Sequence, residues 1–249
     1  MPIKKNTNKY RCITAVIAVL LVFITPVSLF SKGDRTMDRQ IADLRERIAG
    51  MERRVQQLKD REAIENLISI YGYYLDKNLW NQLADLFSEN GTIEISQRGV
   101  YVGKKRIRES LELYGPRRLP HGYLHNHIQT QPVIHISADG NSAWSRHRVI
   151  SQLGSYGKDG LTHGGVYENE YIKEDGIWKI KKDHVYTTYF VVYGKGLNAG
   201  ARGAAMPSEA IPPDLPPTEV YEAYPGVYIP PFHYKNPVTG REIKWDGHE

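Results

Sequence analysis

The stretch from Glu62 to Leu113, EAIENLISIYGYYLDKNLWNQLADLFSENGTIEISQRGVYVGKKRIRESLEL, constrains the fold more than any other. Ile64, Leu67, Ile68, Tyr71 and Leu75 fall at the i, i+3, i+4, i+7 spacing of a helix with one buried face. Asp76 and Asn78 break that face. Leu79, Leu83, Leu86 and Phe87 repeat a short helical pattern, which is expected to stop at Asn90-Gly91. Thr92 to Ile95 alternates like a strand, Gly99 to Gly103 reads as a turn with a short strand, and Lys105 to Leu113 as a third amphipathic helix. Helix, helix, strand, helix is a restrictive order, and it implies an α+β domain.

Strand-like stretches follow at Tyr123 to Ser137, Ser142 to Leu153 and Gly165 to Lys173, separated by Gly- and Asp-rich turns. Glu174-Asp175-Gly176 then turns the chain into Ile177-Trp178-Lys179-Ile180, and a last strand continues through Tyr193. Tyr71, Asp76, Trp80, Leu83 to Phe87, Gly99, Tyr101, Gly103, Ile107 and the Asp-Gly-x-Trp-Lys-Ile hairpin together resemble the SnoaL-like branch of the nuclear-transport-factor-2-like superfamily. Within it the chain resembles the bile-acid 7α-dehydratases and, more distantly, scytalone dehydratase. The resemblance covers somewhat over half the chain. It implies a cone of bent mixed sheet wrapped by three helices around a pocket, at residues 62–197.

Around that domain the sequence places three further segments. Residues 1–31 hold a basic start and then Ile13 to Phe30, eighteen uncharged and mostly apolar residues. At about 1.5 Å per residue such a run approaches the span of a roughly 30 Å hydrocarbon layer. An uncleaved membrane anchor is the expectation and a cleaved signal peptide the alternative; either places the remainder outside the cytoplasm. Residues 38–61 carry Ile41, Leu44, Ile48, Met51, Val55 and Leu58 in a 3-4-3-4-3 spacing. That is the seam of a short coiled-coil stalk joining copies as a homo-oligomer, dimer or trimer, or else one amphipathic helix on the domain's flank. Residues 198–249 form a strap: nine of the fourteen prolines lie from Pro207 onward, with Tyr221, Tyr224, Tyr228, Phe232, Tyr234 and Trp245 among them. So much aromatic area is expected to pack on the domain, as a plain surface extension or over the pocket mouth.

The net charge of +5 does not indicate nucleic acid. Four basic residues sit within the first eleven, leaving 29 basic against 28 acidic from Cys12 onward. No basic stripe interleaved with aromatics remains. The single cysteine, Cys12, excludes an intrachain disulfide and a thiolate zinc site.

Asp76, at the end of an apolar helical face, is by residue type either solvated or aimed into a cavity. His125 and His127 lie at i and i+2, on one face of a strand. That spacing suits acid/base work, a hydrogen-bonded pair, or a metal with a third ligand from His163, Glu168 or Asp76. The resemblance decides among these: Tyr71 and Asp76 match the tyrosine and aspartate of the bile-acid dehydratase pocket, His127 its histidine, and His163 the second histidine of scytalone dehydratase. It implies acid/base chemistry by His127, oriented by Asp76, with Tyr71 polarising a carbonyl and His163 assisting. Tyr74, Trp80, His125, Arg146, Tyr167 and Tyr189 are the candidate substrate-binding residues. Thr187 stands where those enzymes carry an arginine, so the substrate, or the group that stabilises negative charge, should differ. Arg98 and the cluster Lys104, Lys105, Arg106 and Arg108 read as a solvated helix start.

The implied function is a dehydratase-type lyase, or an isomerase, on a hydrophobic hydroxylated carbonyl compound such as a steroid or polyketide. Such chemistry needs no metal or organic cofactor. The alternative is a non-catalytic small-molecule-binding or assembly module.

Overall fold

The structure is a computed structural model and describes residues 27–199 and 201–243. The chain divides into two compact units, Met1–Gln56 and Gln57–Glu249. Helix α1 spans Val27–Asp76 and contributes to both. In the first unit its apolar stripe is open: Ile41, Leu44, Ile48, Met51 and Val55 are each at least 41% exposed. The apolar run expected to anchor the chain lies, up to residue 26, outside the described residues. Among the described residues no helix is long and apolar enough to cross a membrane.

In the second unit α1 buries the face its periodicity marks. Ile64, Leu67, Ile68, Tyr71 and Leu75 are all under 9% exposed and enter one core cluster. The helix ends at Asp76. Asn78 takes a positive φ of 53°, and its amide donates to the Pro116 carbonyl at 2.9 Å. Helix α2 is Trp80–Asp85 and strand β1 is Phe87–Ile95. The second helix therefore stops before Phe87 rather than at Asn90-Gly91. The sheet captures the chain there, with the Ile180 N–H donating to the Leu86 carbonyl at 2.9 Å. Asn90-Gly91 lies instead where the β1 register shifts, between Phe87 and Thr92. A Cβ on Gly91 would lie 3.0 Å from the Ile180 carbonyl oxygen.

The remaining elements are β2 (Val100–Val102), α3 (Lys104–Leu111), β3 (Tyr123–Ile136), β4 (Ser142–Ser155), β5 (Leu161–Glu174), β6 (Ile177–Val192) and α4 (Gly196–Ala199). The six strands form one mixed sheet in the order β2-β1-β6-β5-β4-β3. β1 and β6 run parallel; the other neighbours are antiparallel. The long strands match the sequence expectation, with β4 and β5 each extended toward their shared turn.

Strand alternation gives the sheet two different faces. Ile93, Tyr167, Tyr171 and Val185 turn toward the helices and join the core. Their neighbours Glu94, Glu168, His184 and Tyr186 turn the other way, where the C-terminal strap meets them. Leu215 bridges to Val100, Thr218 binds Glu94 through its N–H and its hydroxyl, and Tyr228 packs on Tyr186 at 5.9 Å between ring centroids. Beyond them Phe232 lies under the Arg146 guanidinium, and His233 donates to Glu168 while touching His135. The strap thus crosses from the β2 edge to the β3 edge. Scattered backbone hydrogen bonds, such as Leu215 N–H to the Val100 carbonyl at 3.1 Å and Tyr224 N–H to the Thr188 carbonyl at 2.8 Å, join side-chain pairing and aromatic packing in holding it.

Candidate functional site

Three long strands bring the candidate histidines together by register. His127 on β3 pairs with Ser151 on β4, and Ser151 pairs with His163 on β5. Leu75 and Tyr71 of α1 close over this row, and Thr187 and Val185 of β6 complete it. The cavity they line has a volume of about 60 Å³. Its wall includes Tyr71, His127, His163, Tyr167, Thr187 and Arg98, and the strap contributes Ala205.

Asp76 stands beside this wall. Its Oδ1 accepts the backbone N–H of His127 at 2.6 Å and lies 3.4 Å from the imidazole Nδ1. The second contact is within ion-pair range but is not aligned as a hydrogen bond, since the His127 Nδ1 is buried without one. The carboxylate therefore fixes the strand first and the ring second. Gly72, one helical turn before Asp76, permits this approach: a Cβ there would sit 2.9 Å from the His127 carbonyl oxygen.

His163 is held at both ring nitrogens, Nδ1 by the Ser151 hydroxyl at 3.2 Å and Nε2 by the Thr187 hydroxyl at 3.1 Å. Burial, with His127 nearby, pushes its pKa down to about 4, so the ring is neutral near pH 7. The Tyr71 hydroxyl donates to Asp183 Oδ2 at 3.2 Å. Burial first, and then the Asp183 charge, raise the Tyr71 pKa well above the ordinary phenol value.

Asp183 is the member of this cluster that sequence reasoning missed. It is fully buried; Asn169 donates to its Oδ1 at 2.7 Å, and burial pushes its carboxyl up to about 7. The nearest signal in the sequence was a charged residue at an inward position of β6, two before Val185. Arg98 was also missed, because the basic residues around it suggested solvent. It follows the β1 strand at a turn, its guanidinium lies over the Tyr114 ring at 4.6 Å, and its Nη1 is buried with no hydrogen-bond partner. The rest of that basic cluster does pair at the surface, Arg106 with Glu109 and Asp214, and Arg108 with Glu112.

Of the candidate binding residues, Tyr167 reaches the cavity wall. His125 is buried next to His127, with ring centroids 6.2 Å apart and Nδ1 unpartnered, but is not part of that wall. Tyr74 packs against the core, and Trp80 is fully buried with its Nε1–H on the Gly115 carbonyl at 3.0 Å. Arg146 lies on the strap face, paired with Glu168, and the Tyr189 ring covers Gly164. Among the described residues no group of three or more His, Cys, Asp and Glu is placed to hold a metal ion.

The family profile described as SnoaL-like domain matches residues 56–184. Among solved structures, a Novosphingobium aromaticivorans protein bearing the provisional name scytalone dehydratase is 25% identical. It covers 62% of this chain and 96% of its own, with a TM-score of 0.50. The hexachlorocyclohexane dehydrochlorinase LinA-type3 of Novosphingobium barchaimii LL02 is 22% identical over 55% of this chain and 92% of its own, at a TM-score of 0.48. The profile match spans more than half the chain and lies on the elements that build the cavity: the chain belongs to the SnoaL-like domain family.

Proposed function

We propose that the domain is a dehydratase-type lyase, or an isomerase, acting on a hydrophobic hydroxylated carbonyl compound. The observation that carries this reading is the meeting of His127, Tyr71 and His163, from β3, α1 and β5, at one cavity, with Asp76 beside His127. His127 removes the proton from the carbon next to the carbonyl, and the C–H electron pair moves toward the carbonyl oxygen as an enolate. The enolate then re-forms the carbonyl and expels the hydroxyl on the next carbon, which leaves as water with the proton that His127 returns. General acid–base help of this kind is typically worth roughly 10²–10⁴-fold. His163, neutral and held at both nitrogens, acts as a fixed dipole beside the reacting group.

The cavity, about 60 Å³, has room for a small reacting fragment rather than for a whole steroid. Beside it lies a groove of about 840 Å³, with Leu153 common to both walls. Tyr123, Leu124, Tyr156, Leu161 and Tyr193 line that groove. It offers an apolar body a place outside while a polar end enters, which favours an elongated hydrophobic substrate. A second reading, a binding module without turnover, draws on His163, whose ring nitrogens are both engaged, and on Tyr71, whose proton is committed to Asp183.

The two readings separate on a panel of β-hydroxy ketones and esters, followed by the ultraviolet absorbance of the conjugated product. The lyase reading expects turnover by the wild type and its loss in His127→Ala at unchanged thermal stability. Turnover that survives in His127→Ala removes it.

A further inference from the structure

Among the described residues Arg98 has no counter-ion. No carboxylate, carbonyl or side-chain oxygen among the described residues binds its guanidinium, whose protein contact is the face of Tyr114. The residue is half-buried, its Nη1 is buried and unpartnered, and it forms part of the cavity wall. A buried charged donor left unpaired is unfavourable, and one retained in a native structure calls for a partner such as a bound anion or water.

The strap fixes the turn that carries this side chain. The Gln97 N–H donates to the Ala205 carbonyl at 2.9 Å, and the Gln97 side-chain amide donates to the Tyr221 carbonyl at 2.7 Å. Ser96 meets Ala205 and Tyr221 through its hydroxyl. On the other side Val100 donates to Leu215, and Gly99, at φ 88°, lies so close to Pro213 that a Cβ would be 2.6 Å from its ring. Residues on both sides of Arg98 are clamped while its own side chain is left for the cavity. That is the arrangement of a preorganised anion site.

We infer that Arg98 is the anion-binding residue of the cavity and receives a carboxylate on a small molecule. As a statement about the substrate, a hydroxylated carbonyl compound that also carries a carboxylate, it rests on the lyase reading; as a statement about binding it stands without turnover. With Arg98 as anchor, His127, His163 and Tyr71 surround the remaining space, so the carboxylate end is the one that enters. It also supplies positive charge to a cavity where β6 contributes the uncharged Val185, Thr187 and Phe190.

Acetate, small enough for the cavity, tests this against acetamide, its uncharged isostere, by NMR titration of the full chain. Acetate should bind the wild type, weaken with added salt, and displace the resonances of Tyr71 and His163; acetamide should bind at least tenfold more weakly. Arg98→Met should lose acetate by roughly ten- to hundredfold, the scale of a hydrogen bond to a charged group. It should leave the melting temperature of the empty protein unchanged or higher, because a buried donor without a partner has been removed. Arg98→Lys should retain part of the acetate affinity and guards against a packing artefact in the methionine variant. Equal affinity for acetate and acetamide, or acetate binding that Arg98→Met leaves intact, overturns the inference. Either outcome leaves the turnover test of His127→Ala untouched, so the two readings fail separately.

Discussion

Asp183→Asn offers a quantitative test of how the interior is built. Asp183 is enclosed by Tyr71 from α1, Tyr114 beyond α3, and Asn169, Tyr167 and Tyr171 of β5. Among the described residues no cation offsets its burial, which raises its carboxyl from the usual 3.8 to about 7. A raised carboxyl contributes stability that is fully present below the unfolded-state value and is lost as pH rises through the folded-state value. At about 1.4 kcal/mol per pH unit, the wild type should lose roughly 3 kcal/mol between about pH 5 and about pH 8 that an asparagine cannot lose. The asparagine retains an acceptor for Asn169 and gains a donor toward Tyr71, so packing changes little. His147 and His184, pushed down by burial to about 3, and His163, at about 4, titrate in the opposite sense. They are common to both chains and cancel in the difference. Urea unfolding followed by tryptophan fluorescence at the two pH values reads that difference directly. The variant should gain on the wild type as pH rises; a gap that does not move with pH would refute the assignment of a neutral buried carboxyl.

Two further outcomes follow from packing. Gly72→Ala places a methyl against the backbone of His127 and the Gln129 side chain, where the closest approach is 2.9 Å. It should lower stability by about 1–3 kcal/mol in urea unfolding and weaken turnover by displacing Asp76 from β3, whereas a neutral substitution would show that α1 has slack there. Ile48→Asp introduces a charge into the open stripe of the first unit, where Ile48 is 55% exposed. If that stripe is the seam of an oligomer, sedimentation of the full chain should shift toward monomer; an unchanged mass would locate the assembly elsewhere.

Much of this architecture was legible because periodicity reports burial. The α1 face from Ile64 to Leu75, the four long strands and the Asp-Gly-x-Trp hairpin all appear where alternation and turn residues place them. The early stop of α2 was not legible, since Leu86 and Phe87 suit a helix as well as a strand, and only pairing with Ile180 on a distant strand decides between them. The site divides along the same line. His127 and Asp76 lie 51 residues apart, and the family resemblance, not local chemistry, suggested their meeting. Arg98 looked solvated because its sequence neighbours are basic, whereas its guanidinium lies over the Tyr114 ring at the cavity wall, on a turn that a strap more than a hundred residues later holds through Gln97. Arg146 shows the converse: an inward role was possible by alternation, but Glu168 and Phe232 draw it to the strap face. Charge in a sequence does not state which face of a sheet will receive it.

The central claim is that His127 takes a proton from carbon inside this cavity. Exchange of the α-hydrogens of hydroxylated ketones in D₂O, followed by proton NMR, tests that step without requiring the natural substrate or a completed elimination. The account predicts α-exchange by the wild type well above the buffer rate, and exchange at the buffer rate in His127→Ala. Exchange at equal rates in the two proteins would contradict it.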